Sequence, residues 1–305
     1  MRAGGCADVR ILVTGVDGLV GAGVVRYLAQ TNKYEVFTTS RKKRANQKHI
    51  YCDLCSMDLF SVLSGLNVDA IVHCAAAIPA NFSDSAEVFA INKKIDENVL
   101  HAVRQMRSRL IYMSGVTVCG LSGRDLVTET SPADLFSEYI AEKYEAELAI
   151  QTEQKDHVVF RLSSPYGPNQ KRGSVVKLFV DRAKNGEDII YYGQGSRTQN
   201  FIHTVDIGRA VEQALAYRDG GVFNIAGNKS ISMKELAEIV AEIANEAFES
   251  QIKARASGFE DPQENLRRNI SIEKAERLLN WKPEVHIRDG LTEMITGQVV
   301  ELQYE

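Results

Sequence analysis

The stretch VRILVTGVDGLVGAGVVRYLAQ, residues 9–30, decides how this chain folds. Its first residues are mostly apolar and rich in β-branched side chains, which is typical of a buried parallel strand. Gly15, Gly18 and Gly21 then form a G-x-x-G-x-x-G array, and the residues after them have the pattern of a helix. A strand, a glycine-rich turn and a helix in this order predict a dinucleotide-binding loop, with a turn that binds nothing as the alternative.

Each glycine of this loop has its own physical task. Gly15 takes the tight turn, Gly18 lets the backbone approach a pyrophosphate, and Gly21 lets the helix pack close to the strand. The N-terminus of the helix adds N–H groups and a partial positive charge for the phosphates. The predicted cofactor contacts in the loop are Gly15, Val16, Asp17, Gly18, Leu19 and Gly21.

Segments with strand and helix patterns alternate along the first half of the chain. The predicted strands are residues 9–15, 34–40, 48–53, 68–76, 109–115 and 157–163. The predicted helices are residues 21–30, 86–105 and 137–153. This alternation predicts an α/β fold of the Rossmann type, with a doubly wound parallel sheet.

The second half of the chain has a less regular pattern, which predicts a smaller α/β C-terminal lobe. Helix patterns occur at 173–186, 204–218 and 232–247, and strand patterns at 188–193 and 221–227. Because no low-complexity linker separates the halves, we expect the lobes to be interleaved. We assign residues 1–165 and 201–227 to the dinucleotide-binding lobe and residues 166–200 and 228–305 to the smaller lobe.

The composition is ordinary for a soluble globular protein, with 44% hydrophobic and 25% charged residues. A net charge of -4 gives no electrostatic footprint for nucleic acid, so no such partner is expected. No apolar run approaches the roughly 18 residues of a membrane span, and no membrane partner is expected. Five scattered cysteines suit a reducing compartment, so we expect a cytoplasmic protein. Cys52 and Cys55 form a lone C-x-x-C, which favours free thiols over a metal site.

The end of the second predicted strand indicates which dinucleotide binds. An acidic residue there would accept hydrogen bonds from the ribose of NAD. The chain instead has Ser40 followed by four cations, Arg41, Lys42, Lys43 and Arg44, which favours the extra phosphate of NADP over NAD. A solvated basic loop is the alternative. Asp53 and Leu54, after the third strand, are predicted to contact the adenine.

Tyr139 and Lys143 form a Tyr-x-x-x-Lys pair in a predicted helix, so they share one face of it. A nearby ammonium favours the phenolate and pulls the pKa of a tyrosine down from about 10. Such a tyrosine can take a proton from a sugar hydroxyl, or give one to a ketone, while hydride moves to or from a nicotinamide. Both residues are therefore predicted to be catalytic and to contact the cofactor.

With these features the chain resembles the extended short-chain dehydrogenases/reductases of the NAD(P)-dependent nucleotide-sugar epimerase/dehydratase superfamily. The resemblance runs over nearly the whole length. Its markers are TGVDGLVG, VHCAA, YIAEK, RLSSPYGP, GQGSRTQNFIHTVDI, VFNIAG and ISIEKAERLLNWKPEVHIRDGL. It implies that the smaller lobe holds a nucleoside-diphosphate sugar and that hydride chemistry takes place at a sugar carbon, often C4. It also implies cofactor contacts from Ala75, Ala76, Ser164 and Pro165.

The chain departs from the family pattern at its catalytic hydroxyl. The usual Ser or Thr falls on Gly115, and the Asp and Glu that follow it in 4,6-dehydratases fall on Val116 and Thr117. The resemblance therefore argues against 4,6-dehydration by the usual route. Thr117 is our preferred substitute hydroxyl, and Ser114 is the alternative, although its side chain should point to the other face of an extended strand.

The substrate side also departs from the family pattern. An arginine that contacts the diphosphate in the family falls on Gln199 here. Arg197, Arg267 and Arg268 are the candidates for a phosphate clamp, because a guanidinium bonds phosphate bidentately; surface salt bridges are the alternative. The predicted substrate contacts are Arg197, Gln199, Arg267 and Arg268, whereas Asn224, His203 and Asp206 are expected to stabilise the fold.

The leading functional hypothesis is an NADP-preferring oxidoreductase of a nucleoside-diphosphate sugar, either a 4-ketoreductase or an epimerase, with NAD as the second cofactor. One alternative is a non-catalytic NADP-binding regulatory relative, which the loss of a hydroxyl at Gly115 suggests. Another is a reductase of a non-nucleotide carbonyl, which Gln199 leaves open. The resemblance further implies a homodimer through a four-helix interface that uses residues 87–105 and 137–152.

Overall fold

The computed structural model describes residues 9–79, 86–120, 126–154, 156–171 and 173–299. The strands within these ranges are β1 (Val9–Thr14), β2 (Tyr34–Ser40), β3 (His49–Tyr51), β4 (Ala70–His73), β5 (Arg109–Gly115), β6 (His157–Leu162), β7 (Ser164–Tyr166), β8 (Ile189–Tyr191), β9 (Thr198–His203), β10 (Gly221–Ile225), β11 (Ser230–Ser232) and β12 (Ala254–Ala256). The α-helices are α1 (Leu19–Thr31), α2 (Leu59–Val62), α3 (Ala86–Met106), α4 (Glu138–Glu153), α5 (Val175–Lys184), α6 (Thr204–Ala216), α7 (Met233–Phe248), α8 (Glu273–Leu279) and α9 (Ile287–Thr296).

One large parallel sheet organises the described part of the chain. Its strand order is β10-β6-β5-β4-β1-β2-β3, and every neighbouring pair runs parallel. The order reverses direction at β1, where the chain first builds outward to β3 and then crosses back to β4. The predicted doubly wound Rossmann-type sheet is therefore confirmed, and a groove is expected between β1 and β4.

Apolar side chains cover both faces of the large sheet, as a sheet buried between two helix layers requires. On one face α1 and α6 pack together against β1 and β5, with Val24, Val205 and Val211 in the core. On the other face α2, α3 and α4 cover Leu12, Tyr112 and neighbouring residues. The strands read as near-continuous apolar runs because neither face meets water.

The C-terminal part of the chain builds a second core beside the large sheet. The small sheet has the order β11-β9-β7, and β8 pairs with β12. Helices α5, α7 and α9 pack with these strands around Phe179, Leu236 and Leu291. Trp281 fastens the C-terminal segment to the first lobe, since its ring is buried and its Nε1 donates to the backbone oxygen of Asp206 at 3.0 Å.

The predicted strands and helices have counterparts in the structure, but the proposed boundary between the lobes does not follow one sheet. Within residues 201–227, β10 extends the large sheet, whereas β9 joins the small sheet. The strands β7, β11 and β12 have three residues each, too few for a recognisable pattern, and the sequence pattern does not predict the six-residue β9 either. No helix among the described residues is both long enough and apolar enough to cross a membrane.

Candidate active site

The glycine-rich loop lies where β1 ends, and the surrounding backbone leaves no room for a side chain at Gly15 or Gly21. Gly15 has a φ of +68°, and a Cβ there would lie 2.6 Å from backbone atoms of Ala75. A Cβ on Gly21 would lie 2.5 Å from the carbonyl oxygen of Gly15. Gly18 precedes α1 without a side chain to cap it, so backbone N–H groups at this helix end remain available to an anion. The loop therefore suits the pyrophosphate of a dinucleotide.

A cavity of about 210 Å³ opens beside this loop. It lies at the carboxyl ends of β1, β2, β3 and β4, which is the crevice where open α/β sheets bind ligands. Predicted cofactor residues that line it are Gly15, Asp17, Gly18, Ser40, Arg41, Asp53, Leu54, Ala75 and Ala76. The sequence interpretation missed Thr39, Cys52, Cys55, Cys74, Ala77, Ile91 and Ile95. Thr39, Cys52 and Cys74 lie near the carboxyl ends of predicted strands, and Cys55 and Ala77 lie just beyond such ends, so this position was the available signal.

Other predicted cofactor residues lie outside the cavity wall. Val16 is buried in the core of the large sheet, and Leu19 begins α1. Ser164 and Pro165 belong to β7, where the hydroxyl of Ser164 accepts a hydrogen bond from the side chain of Gln199. The cysteines at 52 and 55 are free, and burial raises the pKa of the Cys52 thiol to about 11.

Asp17 reaches from the glycine-rich loop to the end of β2. Its Oδ1 lies 2.5 Å from Nη2 of Arg44, and its carboxylate also bonds the side chain of Ser40. Partial burial opposes ionisation, but the hydrogen bonds from Ser40 and Arg44 and the charge of Lys42 outweigh it and lower the pKa of Asp17. An ionised carboxylate therefore faces the same cavity as Ser40.

A chain of buried hydrogen bonds runs from β1 to α3. Oγ1 of Thr14 lies 2.7 Å from Nδ1 of His73 and accepts from the backbone N–H of Ala75 at 3.1 Å. Nε2 of His73 lies 2.9 Å from Oδ1 of Asp96. Burial opposes the charge of Asp96, but Lys143, His73 and a hydrogen bond from Tyr112 hold its pKa well below the ordinary range. Asp96 is therefore a buried anion beneath the cavity.

Lys143 ends this chain of contacts on α4. Its Nζ donates to the hydroxyl of Tyr112 at 2.7 Å and lies 3.4 Å from Oδ2 of Asp96, to which Tyr112 also donates at 2.5 Å. Burial alone would lower the pKa of Lys143, but the charges of Asp96, Glu142 and Tyr139 raise it. The ammonium is therefore held protonated inside the protein.

Glu142 brings a second carboxyl to the same cluster. It is 2% exposed, and its Oε2 lies 3.6 Å from Nζ of Lys143. Burial, with the neighbouring charge of Asp96, raises the pKa of Glu142 to about 8 although Lys143 opposes this. At neutral pH the cluster therefore combines one ionised carboxylate, one protonated carboxyl and one ammonium. Neither acid was recognised as part of the site in the sequence.

Tyr139 lies in the first turn of α4, one helical turn before Lys143. Ser137 begins the helix by accepting a hydrogen bond from the N–H of Ile140. The half-buried ring of Tyr139 packs against the turn that contains Val118 and Cys119. Its phenol is close enough to influence the ionisation of both Lys143 and Tyr112. The two residues predicted to move protons are thus brought together at the end of β5.

The loop after β5 shows what occupies the place of the missing hydroxyl. β5 ends at Gly115, and a 3-10 helix of residues Val116–Cys119 follows. A Cβ on Gly115 would lie 3.1 Å from Oγ1 of Thr117, so the Thr117 hydroxyl stands beside the position of the absent side chain. The hydroxyl of Ser114 instead donates to the buried carboxylate of Glu147. This geometry argues against a catalytic role for Ser114 and favours Thr117.

Glu147 and Arg161 form a buried ion pair that supports the same loop from below. Nη2 of Arg161 donates to Oε2 of Glu147 at 2.7 Å, and its Nη1 donates to Sγ of Cys119 at 3.4 Å. The pair therefore links α4, β6 and the turn after Gly115. Because both side chains bond other protein groups of this turn, the pair has a structural role.

The arginines predicted on the substrate side lie in the segment around β9. Nε of Arg197 lies 3.0 Å from Asp261, and Nη1 of Arg267 donates to the backbone oxygen of Glu264. Burial lowers the pKa of the Arg268 guanidinium, and the charge of Arg197 lowers it further by a smaller amount. Arg197 and Arg268 are therefore close enough for their charges to interact, although Asp261 pairs with Arg197.

The residues assigned to the fold make structural contacts. The side chain of Asn224 donates to the backbone oxygens of Val127 and Ser271. Asp206 accepts from the backbone N–H groups of Glu284 and Val285 at 2.9 and 3.0 Å. Nε2 of His203 lies 3.2 Å from Glu293, on α9.

A sequence model of the NAD dependent epimerase/dehydratase family matches residues 11–226, well over half of the chain. The chain therefore belongs to this family. A curated relative from Methanocaldococcus jannaschii, a putative UDP-glucose 4-epimerase, is 28% identical over 306 residues, with 93% of this chain and 97% of the relative covered.

Solved structures of two kinds of enzyme have the same fold. UDP-glucose 4-epimerase from Thermotoga maritima, determined with UDP-glucose, has a TM-score of 0.80 at 22% identity and covers 94% of this chain and 98% of its own. The dTDP-glucose 4,6-dehydratase from Streptomyces venezuelae, determined with NAD bound, has a TM-score of 0.77 at 26% identity. The match covers 94% of this chain and 96% of the dehydratase. The fold alone does not separate the two reactions.

Proposed function

We propose that this member of the NAD dependent epimerase/dehydratase family is an NAD(P)-dependent oxidoreductase of a nucleoside-diphosphate sugar, acting as an epimerase or a 4-ketoreductase. One observation carries the proposal. Tyr139 lies one helical turn from Lys143, whose buried ammonium is held by Tyr112 and Asp96. This is the arrangement that acid–base chemistry beside a nicotinamide requires.

A bound nicotinamide cofactor would accept or donate the hydride. The glycine-rich loop is the part of the chain that would hold the pyrophosphate of this cofactor. Gly15 and Gly21 form a cradle that any Cβ would fill. The cavity beyond them suits the adenosine, with Leu54 in its apolar wall and Asp53 as an acceptor. The residues present therefore fit the dinucleotide.

Tyr139 is the acid/base in this proposal. For oxidation of a sugar C4–OH, the phenolate takes the hydroxyl proton as hydride leaves C4, and a ketone forms. For reduction, the phenol returns that proton to the ketone oxygen as hydride arrives. Lys143 favours the phenolate by its charge, and the ionised Asp96 keeps Lys143 protonated.

Thr117 is the proposed second hydroxyl. Its Oγ1 stands 3.1 Å from the point where a residue 115 side chain would begin, so it can donate to the same sugar oxygen as Tyr139. A hydroxyl donor there stabilises charge that develops on that oxygen in the transition state. With Val116 at the next position and no carboxylate at Thr117, the loop lacks the acids for 4,6-dehydration.

Arg197, Arg267 and Arg268 are proposed to hold the diphosphate of the sugar, with Gln199 beside them. The mutual repulsion of Arg197 and Arg268 supports this, since a diphosphate would relieve it. The names of the relatives, among them a putative UDP-glucose 4-epimerase and a dTDP-glucose 4,6-dehydratase, support UDP or dTDP sugars as the substrate class.

The oligomeric state and the division into lobes remain part of the proposal. We propose a homodimer in which α3 and α4 of each protomer form a four-helix interface. We also propose that β7 and β9, in the small sheet, connect the cofactor lobe to the lobe that binds the sugar.

The experiment that tests the function mixes purified protein and reduced cofactor with a panel of 4-keto nucleotide sugars and follows the nicotinamide absorbance. Consumption with one sugar supports a 4-ketoreductase, and isomerisation of a parent 4-hydroxy sugar, incubated in parallel with oxidised cofactor, supports an epimerase. Tyr139→Phe should lose this activity, whereas Tyr144→Phe, a matched change on the same helix, should keep it. Cofactor binding without turnover of any sugar would favour the non-catalytic relative, and turnover of a simple carbonyl alone would favour the non-nucleotide reductase.

A further inference from the structure

The end of β2 lacks the acidic residue that normally receives the adenosine ribose. β2 ends at Ser40, and cationic residues follow it in the sequence. In dinucleotide folds a carboxylate at this place accepts hydrogen bonds from the ribose hydroxyls of NAD, whereas an arginine there accommodates the additional phosphate of NADP. From the sequence alone, these cations favour NADP.

The structure brings a carboxylate to this place from another part of the chain. Asp17, in the glycine-rich loop, ion-pairs with Arg44 at 2.5 Å and bonds the side chain of Ser40. Asp17, Ser40 and Arg41 all line the cavity beside the loop. The carboxylate thus reaches the ribose end of the cavity from β1 rather than from β2.

The same contact changes the electrostatics of the basic segment. The charge of Arg44 is compensated by Asp17, and Lys42 also acts on this carboxylate. A 2′-phosphate would bring up to two further negative charges against Asp17, or would have to displace it from Arg44. A ribose with free hydroxyls can donate hydrogen bonds to the carboxylate and leave the ion pair intact.

We propose that Asp17 is the residue that selects the cofactor and that it favours NAD over NADP. The inference rests on the proposed dinucleotide site and reverses the preference that the basic segment suggests by itself. Asp17 attracts the ribose diol and repels the 2′-phosphate, and Arg44 holds its carboxylate in position. Without Asp17, Arg44 becomes free to bind the phosphate.

Isothermal titration with NAD⁺ and NADP⁺ tests the inference without any sugar substrate. The variants are Asp17→Asn, Arg44→Gln and the double variant. Glu35→Gln is the control. Like Asp17, Glu35 is an acid paired with an arginine, but it lies near the start of β2 and does not line the cavity. Wild type should bind NAD⁺ more tightly. Asp17→Asn should shift the ratio of the two affinities about tenfold or more toward NADP⁺, as removal of repulsion between nearby charges implies.

The double variant identifies what takes the phosphate. Adding Arg44→Gln to Asp17→Asn should lose most of the gain in NADP⁺ affinity, and Glu35→Gln should leave the ratio unchanged. The inference is overturned if Asp17→Asn leaves the affinity ratio within about twofold of wild type. It is also overturned if wild type prefers NADP⁺. If wild type binds neither dinucleotide, the proposed cofactor site fails together with the inference.

Discussion

Replacing Glu142 with Gln should change how the stability of the protein depends on pH. Burial, with the charge of Asp96, raises the pKa of Glu142 to about 8, although Lys143 opposes the rise. The folded protein therefore holds a proton between pH 4.5 and 8 that the unfolded chain has released. Under this condition the free energy of unfolding falls as the pH rises. Gln has the shape of the protonated acid and cannot ionise, so the variant escapes this loss.

The size of the effect follows from the two pKa values. The rise from an ordinary 4.5 to about 8, at about 1.36 kcal/mol per pH unit, amounts to about 4 to 5 kcal/mol. Because the side chain is 2% exposed, solvent screening does not reduce this figure much. The variant should therefore be within about 1 kcal/mol of wild type near pH 5 and about 4 kcal/mol more stable above pH 8.

Urea unfolding of both proteins at a series of pH values measures this difference directly. The matched control is Glu145→Gln, because Glu145 lies on the same helix with an exposed side chain. The difference between Glu145→Gln and wild type should stay flat with pH. The argument fails if Glu142→Gln gives an equally flat difference, or if it loses stability relative to wild type as the pH rises.

Three further changes test the site and its support. Thr117→Val should lower kcat by about 10- to 100-fold with little change in KM. Adding Gly115→Ser to this variant should restore part of the rate. Steady-state kinetics with the accepted sugar measure both effects, and an unchanged kcat in Thr117→Val would contradict the proposed role. Arg161→Met should reduce the free energy of unfolding by about 3 to 5 kcal/mol, because it leaves Glu147 buried without its cation. The double change Arg161→Met/Glu147→Met should recover much of this loss. Urea unfolding measures both. Gly21→Ala should weaken binding of NAD⁺ and cost about 1 to 3 kcal/mol of stability, since its Cβ would meet the carbonyl of Gly15 at 2.5 Å; unchanged binding by isothermal titration would count against the glycine cradle.

Local features of the sequence predict the geometry around the glycine-rich loop. The strand, glycine array and helix at residues 9–30 are contiguous, and backbone contacts within that unit or to its neighbour strand require glycine at positions 15 and 21. Tyr139 and Lys143 are separated by one turn of a helix, so their shared face follows from helical geometry alone. Carboxyl ends of parallel strands meet at one edge, which brings Ser40, Asp53 and Ala75 to one cavity.

The partners of Lys143 could not be predicted in the same way. Asp96 belongs to a helix with many charged residues, and its pattern gives no reason to bury that one carboxylate. It is buried because α3 and α4 pack side by side on the large sheet, which brings it to Tyr112 and Lys143. The contact of Asp17 with Arg44 likewise joins two loops that only the folded sheet brings together. These are long-range contacts of polar residues, for which periodicity carries no signal.

The choice between Ser114 and Thr117 shows the same limit at close range. Both hydroxyls lie close to Gly115 in the sequence. If the strand continued to residue 117, its alternation would place Ser114 and Thr117 on opposite faces. The strand ends at Gly115 and a 3-10 helix follows, which brings Thr117 back beside the glycine, while Ser114 is held by Glu147. The sequence predicts the end of the strand at Gly115 but not the 3-10 helix that follows it.

We propose that Tyr139 moves a proton at C4 of a nucleotide sugar while hydride passes to a nicotinamide cofactor. The most direct test incubates the protein and oxidised cofactor with UDP and dTDP sugars that carry deuterium at C4, and follows the label by NMR and mass spectrometry. We predict that deuterium enters the nicotinamide ring, or returns to C4 of an epimerised product, in wild type and not in Tyr139→Phe. Tight cofactor binding with no transfer of label from any sugar of the panel, or equal transfer in Tyr139→Phe, would contradict the account.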